Sequence, residues 1–243
     1  MELTTSLHRS VATSTELAAR ADGRFAAGAA MIAGYVDAYG YFSLKTYVSF
    51  MSGNTTQTGF LVGQGDVAAA MPTLVAIVSF VIGVFTGTWL RHSGMHGSWR
   101  LRSGLVAALL ALSIGLTPLG WSGGALGIAM LSVAMGILNT VLSHIGAQSV
   151  SLTFVTGTLV RVGSHLAQAV RRAPLPDARG SWDTHGRRAL RLLGVWAGFL
   201  TGAVLGSAAT SRFGVSVLLL PLLILSALAV FSRAQSASEV FSA

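Results

Sequence analysis

The sequence predicts an all-α polytopic membrane protein with six transmembrane helices, two re-entrant half-helices and an inverted internal repeat of three plus three crossings. Three observations lead to this fold class. The chain is strongly apolar, two polar Thr/Ser-Gly segments interrupt its apolar stretches, and three short landmarks occur twice in the same order.

The composition indicates a chain that lies in lipid. Hydrophobic residues make up 52% of the 243 residues and charged residues only 10%, against roughly 25% charged in a soluble domain. Six uncharged stretches are long enough to cross a bilayer as helices: 25–44, 72–90, 103–119, 123–143, 192–210 and 214–232. In such a chain the net charge of +8 indicates basic cytoplasmic loops that set topology, and no nucleic-acid partner is expected.

The landmarks indicate a duplication. "GYVDA" at 34–38 matches "GILNT" at 136–140, and "FMSGNT" at 50–55 matches "FVTGTL" at 154–159. "GVFTG" at 83–87 matches "GFLTG" at 198–202, so the offsets are 102, 104 and 115 residues. Self-similarity at a nearly fixed spacing is the signature of repeated structural units.

The positive charges favour re-entrant polar segments. If those segments do not cross and both termini are cytoplasmic, 14 of the 16 Lys and Arg residues fall inside, as the positive-inside rule requires. The predicted order is a cytoplasmic arm (1–24), a first repeat (25–119) with a re-entrant segment at 50–66, a second repeat (123–232) with a re-entrant segment at 152–170, and a cytoplasmic tail (233–243). The stretch 171–191 is predicted to be a solvated linker because it is rich in Pro, Gly and charge.

The polar segments are predicted to form a solute site at the bilayer midplane. Ser52 and Asn54 are favourable helix N-caps, and Gly53 and Gly157 permit close approach or a sharp turn. Two half-helices that aim their N-termini at the midplane would create an electropositive polar spot. The predicted substrate-binding residues are Ser52, Gly53, Asn54, Thr55, Thr156, Gly157, Thr158 and Asn139. Alternatively, both motifs serve only close helix packing.

Asp37 lies near the centre of the first crossing, where an acid is costly and needs a partner. It shares a helical face with Tyr41. Asp37 is either a proton-coupling or substrate-binding carboxylate, or a structural acid that accepts N–H bonds from the half-helix or pairs with Arg161. Arg161 is either a selectivity or counter-ion residue, or it pairs with Asp37 or extends to the interface. Asn139 corresponds to Asp37 in the second half and lacks the charge.

The stretches "GYVDAYGYFSL", "FMSGNTTQTG", "MGILNT" and "FVTGTLVRVG" resemble the YoaK family, bacterial inner-membrane proteins with a domain of unknown function. The resemblance spans about residues 25–232. Ser52 stands where the family typically has threonine, and Leu138 stands where a glutamine is common. The family implies a multi-pass protein of the bacterial inner membrane and no established activity.

The sequence therefore favours a transporter or channel for a small polar or anionic solute, with Asp37 as the candidate residue for proton coupling and with no catalytic residues, metal or cofactor. Anionic lipid headgroups are expected at the basic cytoplasmic loops, and a homo-oligomer is possible. Two alternatives stay open. One is a non-transporting membrane scaffold that binds a partner through 171–191. The other is a membrane enzyme acting on a lipid-linked substrate, for which the sequence offers no carboxylate pair or nucleophile motif.

Overall fold

The computed structural model describes residues 2–93, 98–120, 124–142 and 155–227. Within these ranges the chain forms helices and no strands, which confirms the all-helical prediction. The α-helices are α1 (Glu2–Leu44), α2 (Met51–Gly63), α3 (Val67–His92), α4 (Ser98–Gly115), α5 (Ala125–Leu142), α6 (Val155–Val170) and α7 (His185–Phe213). Short 3-10 turns follow α4 at Thr117–Leu119 and α7 at Gly214–Leu218, and helical backbone continues over 219–227.

The predicted elements fall on these helices with shifted ends. The arm predicted at 1–24 is helical and continuous with α1. The predicted half-helices at 50–66 and 152–170 correspond to α2 and α6. Outside the described residues lie the start of the second half-helix (152–154), the ends of two predicted crossings (123 and 143, and 228–232) and the tail (233–243).

Two helical runs, Val67–His92 and His185–Ala227, are long and apolar enough to cross a membrane by length and composition. On α3, one stripe of large apolar side chains is more than half exposed: Val78, Val81, Ile82, Phe85 and Trp89. Exposed apolar stripes of this extent are unusual on soluble monomers and mark contact with lipid or another protein. These features agree with a helical membrane protein.

Helices α1 and α7 pack backbone against backbone through glycines. A Cβ atom at Gly198, Gly202 or Gly206 would collide with the carbonyl oxygen of Ala27, Met31 or Tyr35, respectively. From the α1 side, a Cβ at Gly34 would collide with the carbonyl of Phe199. Because the residue numbers of the contacting partners rise together along both helices, α1 and α7 run parallel. This is the small-residue packing typical of membrane helices.

Helices α3 and α5 repeat this arrangement. A Cβ at Gly83 would collide with the carbonyl of Val133, and one at Gly136 with the carbonyl of Phe80. The contacts of Gly34 and Gly202 between α1 and α7 have equivalents between α5 and α3. The equivalent α5 residue lies 102 positions after the α1 residue, and the equivalent α3 residue lies 119 positions before the α7 residue. Gly83 therefore takes the place of Gly202. The sequence match had paired Gly83 with Gly198, one helical turn away.

The connector 171–191 differs from the solvated linker that the sequence predicts. Arg188, only 8% exposed, donates from Nε and Nη2 to the two carboxylate oxygens of Asp183 at 3.0 and 2.7 Å. Its Nη1 donates to Asp177 at 2.8 Å. Arg191 donates to Asp183 at 3.1 Å. Arg188 and Arg191 therefore neutralise the two acids in a compact cluster at the start of α7, which composition alone could not reveal.

Candidate functional site

The chain turns back along α1 directly after that helix ends. Lys45 adopts a left-handed conformation with φ of 55°, and residues 46–50 then run beside the last turns of α1. Gly40 permits this approach, because a Cβ there would lie 2.9 Å from a methyl group of Val48 and 3.0 Å from the carbonyl of Thr46. The returning chain reaches the level of Asp37, about two turns before the end of α1. We call residues 45–50 the return segment.

Asp37 fastens the return segment to α1. Its Oδ1 accepts the backbone N–H groups of Val48 and Ser49, both at 2.8 Å, and the residue is 4% exposed. A buried carboxylate needs such donors, and buried backbone N–H groups need an acceptor. These contacts agree with the structural alternative for Asp37, in which it accepts N–H bonds. Among the described residues Asp37 forms no ion pair with Arg161, whose side chain is exposed.

Asn54 fastens the same segment from the other side. Its Oδ1 accepts the backbone N–H of Tyr47 at 3.1 Å, and its Nδ2 donates to the carbonyl of Tyr47 at 2.7 Å. Asn54 is fully buried. Only a side-chain amide offers a donor and an acceptor in this geometry. The return segment is therefore held between α1 and α2 by side chains that satisfy its backbone polar groups.

The prediction that Ser52 and Asn54 cap α2 is wrong. The N-cap residue is Phe50, whose side chain forms no capping bond. The amides of Met51, Gly53 and Asn54 bond instead to the carbonyls of Ser49 and Phe50. The tight turn before α2 thus satisfies these amides without a side-chain cap. Asn54 lies inside the first turn of α2, and its side chain bonds to the return segment.

An open groove of about 500 Å³ lies beside the return segment and α2. All of its lining residues are uncharged. They are Tyr41, Tyr47, Phe50, Ser52, Gly53, Thr56, Gln57 and Phe60. The rings of Tyr41 and Tyr47 stack at 4.7 Å, and Phe50 meets Tyr47 edge-on at 5.3 Å. The groove thus combines an aromatic wall with hydroxyl and amide groups on one face of α2.

Gly53 shapes this groove. A Cβ at Gly53 would lie 2.7 Å from Cε1 of Phe50 and 3.1 Å from Cδ2 of Tyr47. The absent side chain therefore lets both rings fold over the first turn of α2. Thr55 is predicted as a site residue but does not line the groove; it is exposed, and its hydroxyl donates to the carbonyl of Met51 at 2.8 Å.

The described part of the second polar segment, 155–170, does not line this groove. Thr156, Gly157 and Thr158 lie in the first turn of α6, which packs against α7, whereas α2 packs against α3. Thr158 is buried and Thr156 is exposed. Asn139 is half-buried on α5. The residues that precede α6, 143–154, lie outside the described residues.

The groove also contains residues that sequence reasoning did not select. Tyr47, Phe50, Thr56, Gln57 and Phe60 all line it. Thr56, Gln57 and Phe60 share the face of α2 that carries Gly53, as spacings of three and four residues require. A search for polar and aromatic residues at helical spacing from Gly53 could have found them.

Comparisons with known proteins place these features in a wider group. Residues 25–231 match the family model described as "Protein of unknown function (DUF1275)". The chain is similar to the UPF0700 transmembrane protein RA0705 of Rhizobium meliloti (strain 1021), with 30% identity over 80% of this chain and 79% of that protein. It is also similar to the UPF0700 transmembrane protein YoaK of Bacillus subtilis (strain 168), with 26% identity over 53% of this chain and 60% of that protein. No solved structure matches the chain.

Proposed function

The chain belongs to the DUF1275 family of proteins of unknown function, whose relatives include transmembrane proteins, and on that premise we propose that it is a transporter or channel for a small polar solute. In this proposal α2 and α6 are re-entrant half-helices in a bacterial inner membrane. The groove beside α2 forms part of the solute path. The observation that carries the proposal is the return segment, held by Asp37 and Asn54, with a groove beside it that combines an aromatic wall with hydroxyl and amide side chains.

The length of α2 supports a half-helix. Helix α2 has 13 residues, which correspond to about 20 Å of helix at 1.5 Å per residue; the 16 residues of α6 are counted within the described ranges, which begin at Val155. The hydrocarbon core is about 30 Å thick. Non-helical backbone at membrane depth is tolerated only where protein or a wet cavity satisfies it. The bonds from Asp37 and Asn54 to the return segment meet that condition.

The parallel helix pairs support the proposed topology. Because α1 runs parallel to α7 and α3 to α5, the two polar segments must either both cross the membrane or both turn back. The short α2 favours turning back, and α6 then turns back as well, which gives six crossings, cytoplasmic termini and two halves of opposite orientation. The same glycine contacts occur in both helix pairs, which favours an internal repeat.

The groove favours a neutral polar solute over an anion. Its lining carries no charged side chain, and most of the first amides of α2 are already bonded. Arg161, proposed earlier to attract anions, is exposed on α6. The exposed arginines Arg171, Arg172, Arg179 and Arg187 support contact between the connector and anionic lipid headgroups.

Osmotic swelling of proteoliposomes tests the proposal, with glycerol, urea, glycine and chloride as the probes. We expect swelling above protein-free vesicles for at least one neutral probe, and a loss of tenfold or more in the variant Gln57→Leu. Thr55→Val is the matched control, because Thr55 lies on the same helix outside the groove. Absence of swelling with every probe would contradict the proposed transport. Swelling that is unchanged by Gln57→Leu would remove the groove from the solute path.

A further inference from the structure

Two histidines meet where α6 and α7 are joined by the connector. Nδ1 of His165, on α6, lies 3.0 Å from Nδ1 of His185, the first residue of α7. Their rings are 5.2 Å apart. His185 is 6% exposed and His165 is half-buried. The solute groove does not include either residue, so this contact is separate from the site described above.

The pair has well-defined polar surroundings. Nε2 of His185 lies 3.5 Å from the carbonyl oxygen of Pro174 in the connector. The charged groups that act on His165 are Arg188 on α7 and the connector acids Asp177 and Asp183. Arg188 is bonded to both acids, and within the described residues neither acid forms an ion pair with His165 or His185. The histidines therefore depend on each other.

The short distance between the two Nδ1 atoms requires one proton between the rings. One nitrogen must donate and the other must accept, since two N–H groups would repel and two lone pairs could not bond. If Nε2 of His185 donates to Pro174, the neutral His185 accepts at Nδ1 and His165 donates. A first added proton can bind to Nε2 of His165 and leave this bond in place. A second proton must occupy Nδ1 of His185, where it removes the acceptor.

We propose that the His165–His185 pair is a proton-binding site that holds α6 against α7 and releases it when both imidazoles are charged. Histidine is the side chain whose ordinary titration lies near physiological pH. The second proton binds beside an imidazole that is already charged, so release requires both protons. The site would make the position of α6 sensitive to acidification on the cytoplasmic side.

The neighbouring ion pair does not respond in the same pH range. Arg188 lowers the pKa of Asp183 to about 2, and it also lowers the pKa of Asp177. Both acids stay charged down to pH 4.5. A rearrangement between pH 8 and 4.5 is then assigned to the histidines.

The distance between α6 and α7 can be measured with two spin labels. The chain contains no cysteine, so labels on Ala167→Cys and Gly186→Cys are the only ones present. Both positions are exposed, and a Cβ at Gly186 meets nothing within 4 Å. In full-length protein reconstituted in nanodiscs with EDTA, we expect one narrow distance at pH 8. At pH 4.5 we expect at least half of the distribution to shift to longer distances.

Variants separate the proton site from general acid effects. His165→Gln keeps an amide that can donate to His185 or accept from it after protonation, so the narrow distance should persist at pH 4.5. His92→Gln is the control, because His92 lies on α3 and bonds to the carbonyl of Thr88. In this variant the distance between the labels should change with pH as it does in the labelled parent protein.

Three results would overturn the inference. The first is an unchanged distance in the parent protein between pH 8 and 4.5. The second is a full acid response in His165→Gln. The third is an acid response that appears only in a parallel sample without EDTA, which would assign the contact to a bridging metal ion. Because no readout involves solute flux, these results are independent of the proposed transport.

Discussion

The carboxylate of Asp37 accepts a hydrogen bond from the backbone N–H of Val48 at 2.8 Å, which joins the last part of α1 to the chain eleven residues later. Together with the bond from Ser49, this contact holds the segment that leads into α2 against α1. The polar residue in the apolar helix thus has a structural task, and that task can be tested apart from transport.

Replacing Asp37 with alanine should strongly destabilise the protein. The change leaves two buried N–H groups without an acceptor, each costing about 1 to 3 kcal/mol. Asp37→Asn keeps an accepting oxygen and should recover most of the loss in melting temperature, measured in detergent. Equal destabilisation by both variants would contradict the hydrogen-bonding role. A stable Asp37→Asn protein that loses proton-driven uptake would point to proton coupling instead.

Replacing Asn54 with aspartate should also destabilise the protein, although the two side chains have nearly the same shape. A carboxylate cannot donate to the carbonyl of Tyr47, which would then face a buried negative charge. We expect a loss of about 3 kcal/mol or more, since an unpaired buried charge is among the most costly changes. Thr55→Val, at the next, exposed position, should leave the melting temperature within about 2 °C, as surface changes do. Equal effects of the two variants would contradict the role of Asn54.

The glycine contacts predict a position-specific response to alanine. Gly34→Ala and Gly202→Ala should each destabilise the protein by about 2 kcal/mol or more, since the added methyl group collides with backbone on the partner helix. Gly28→Ala on α1 and Gly194→Ala on α7 are matched controls, because a Cβ at either site meets nothing within 4 Å. They should be neutral or slightly stabilising, as alanine favours helix by up to about 1 kcal/mol. Melting temperatures of the four variants decide the question.

The ion pair of the connector predicts a stability change in strong acid. Arg188 lowers the pKa of Asp183 from 3.8 to about 2, so the folded state favours the charged carboxylate. The resulting stability, about 2 kcal/mol, is present above pH 4 and is lost as the pH falls from about 4 to 2. Arg188→Ala should remove most of this dependence and lower stability at pH 7 by about 3 kcal/mol, because the buried Asp183 then keeps only Arg191 as a charged partner. Chemical unfolding between pH 2 and 7 measures both effects.

The sequence predicted the all-helical class and the positions of both short helices. Apolar length and polar interruptions are local properties, so α2 and α6 could be recognised from 50–66 and 152–170. The first landmark is equally local, and the contacts of Gly34 and Gly136 keep its offset of 102 residues. The sequence match of the third landmark differs from the structural equivalence by one helical turn. Glycines recur every four residues in α7, so several alignments of α3 with α7 fit.

The site was harder to predict because it depends on pairs of distant residues. The sequence indicated that Asp37 needs donors, but not that Val48 and Ser49 would supply them. Asn54 has the side chain of an N-cap, yet it bonds to Tyr47 because the chain turns back before α2. In the connector, Asp183 and Arg188 look like ordinary solvated charges until the fold brings them together. The sequence thus indicates which bonds each side chain can form, but only the folded structure shows which residues it bonds to.

The pairing of α1 with α7 has a consequence for biosynthesis. The carbonyls of Ala27, Met31 and Tyr35 lie against glycines that the ribosome adds some 170 residues later. During translation α1 must therefore wait in the bilayer, or beside the insertion machinery, with its future contact surface uncovered. Neither half can complete its own helix pairs, since each pair takes one helix from either half. The protein reaches its final packing only after nearly the whole chain has emerged, and truncated products should be recognised as incomplete and degraded.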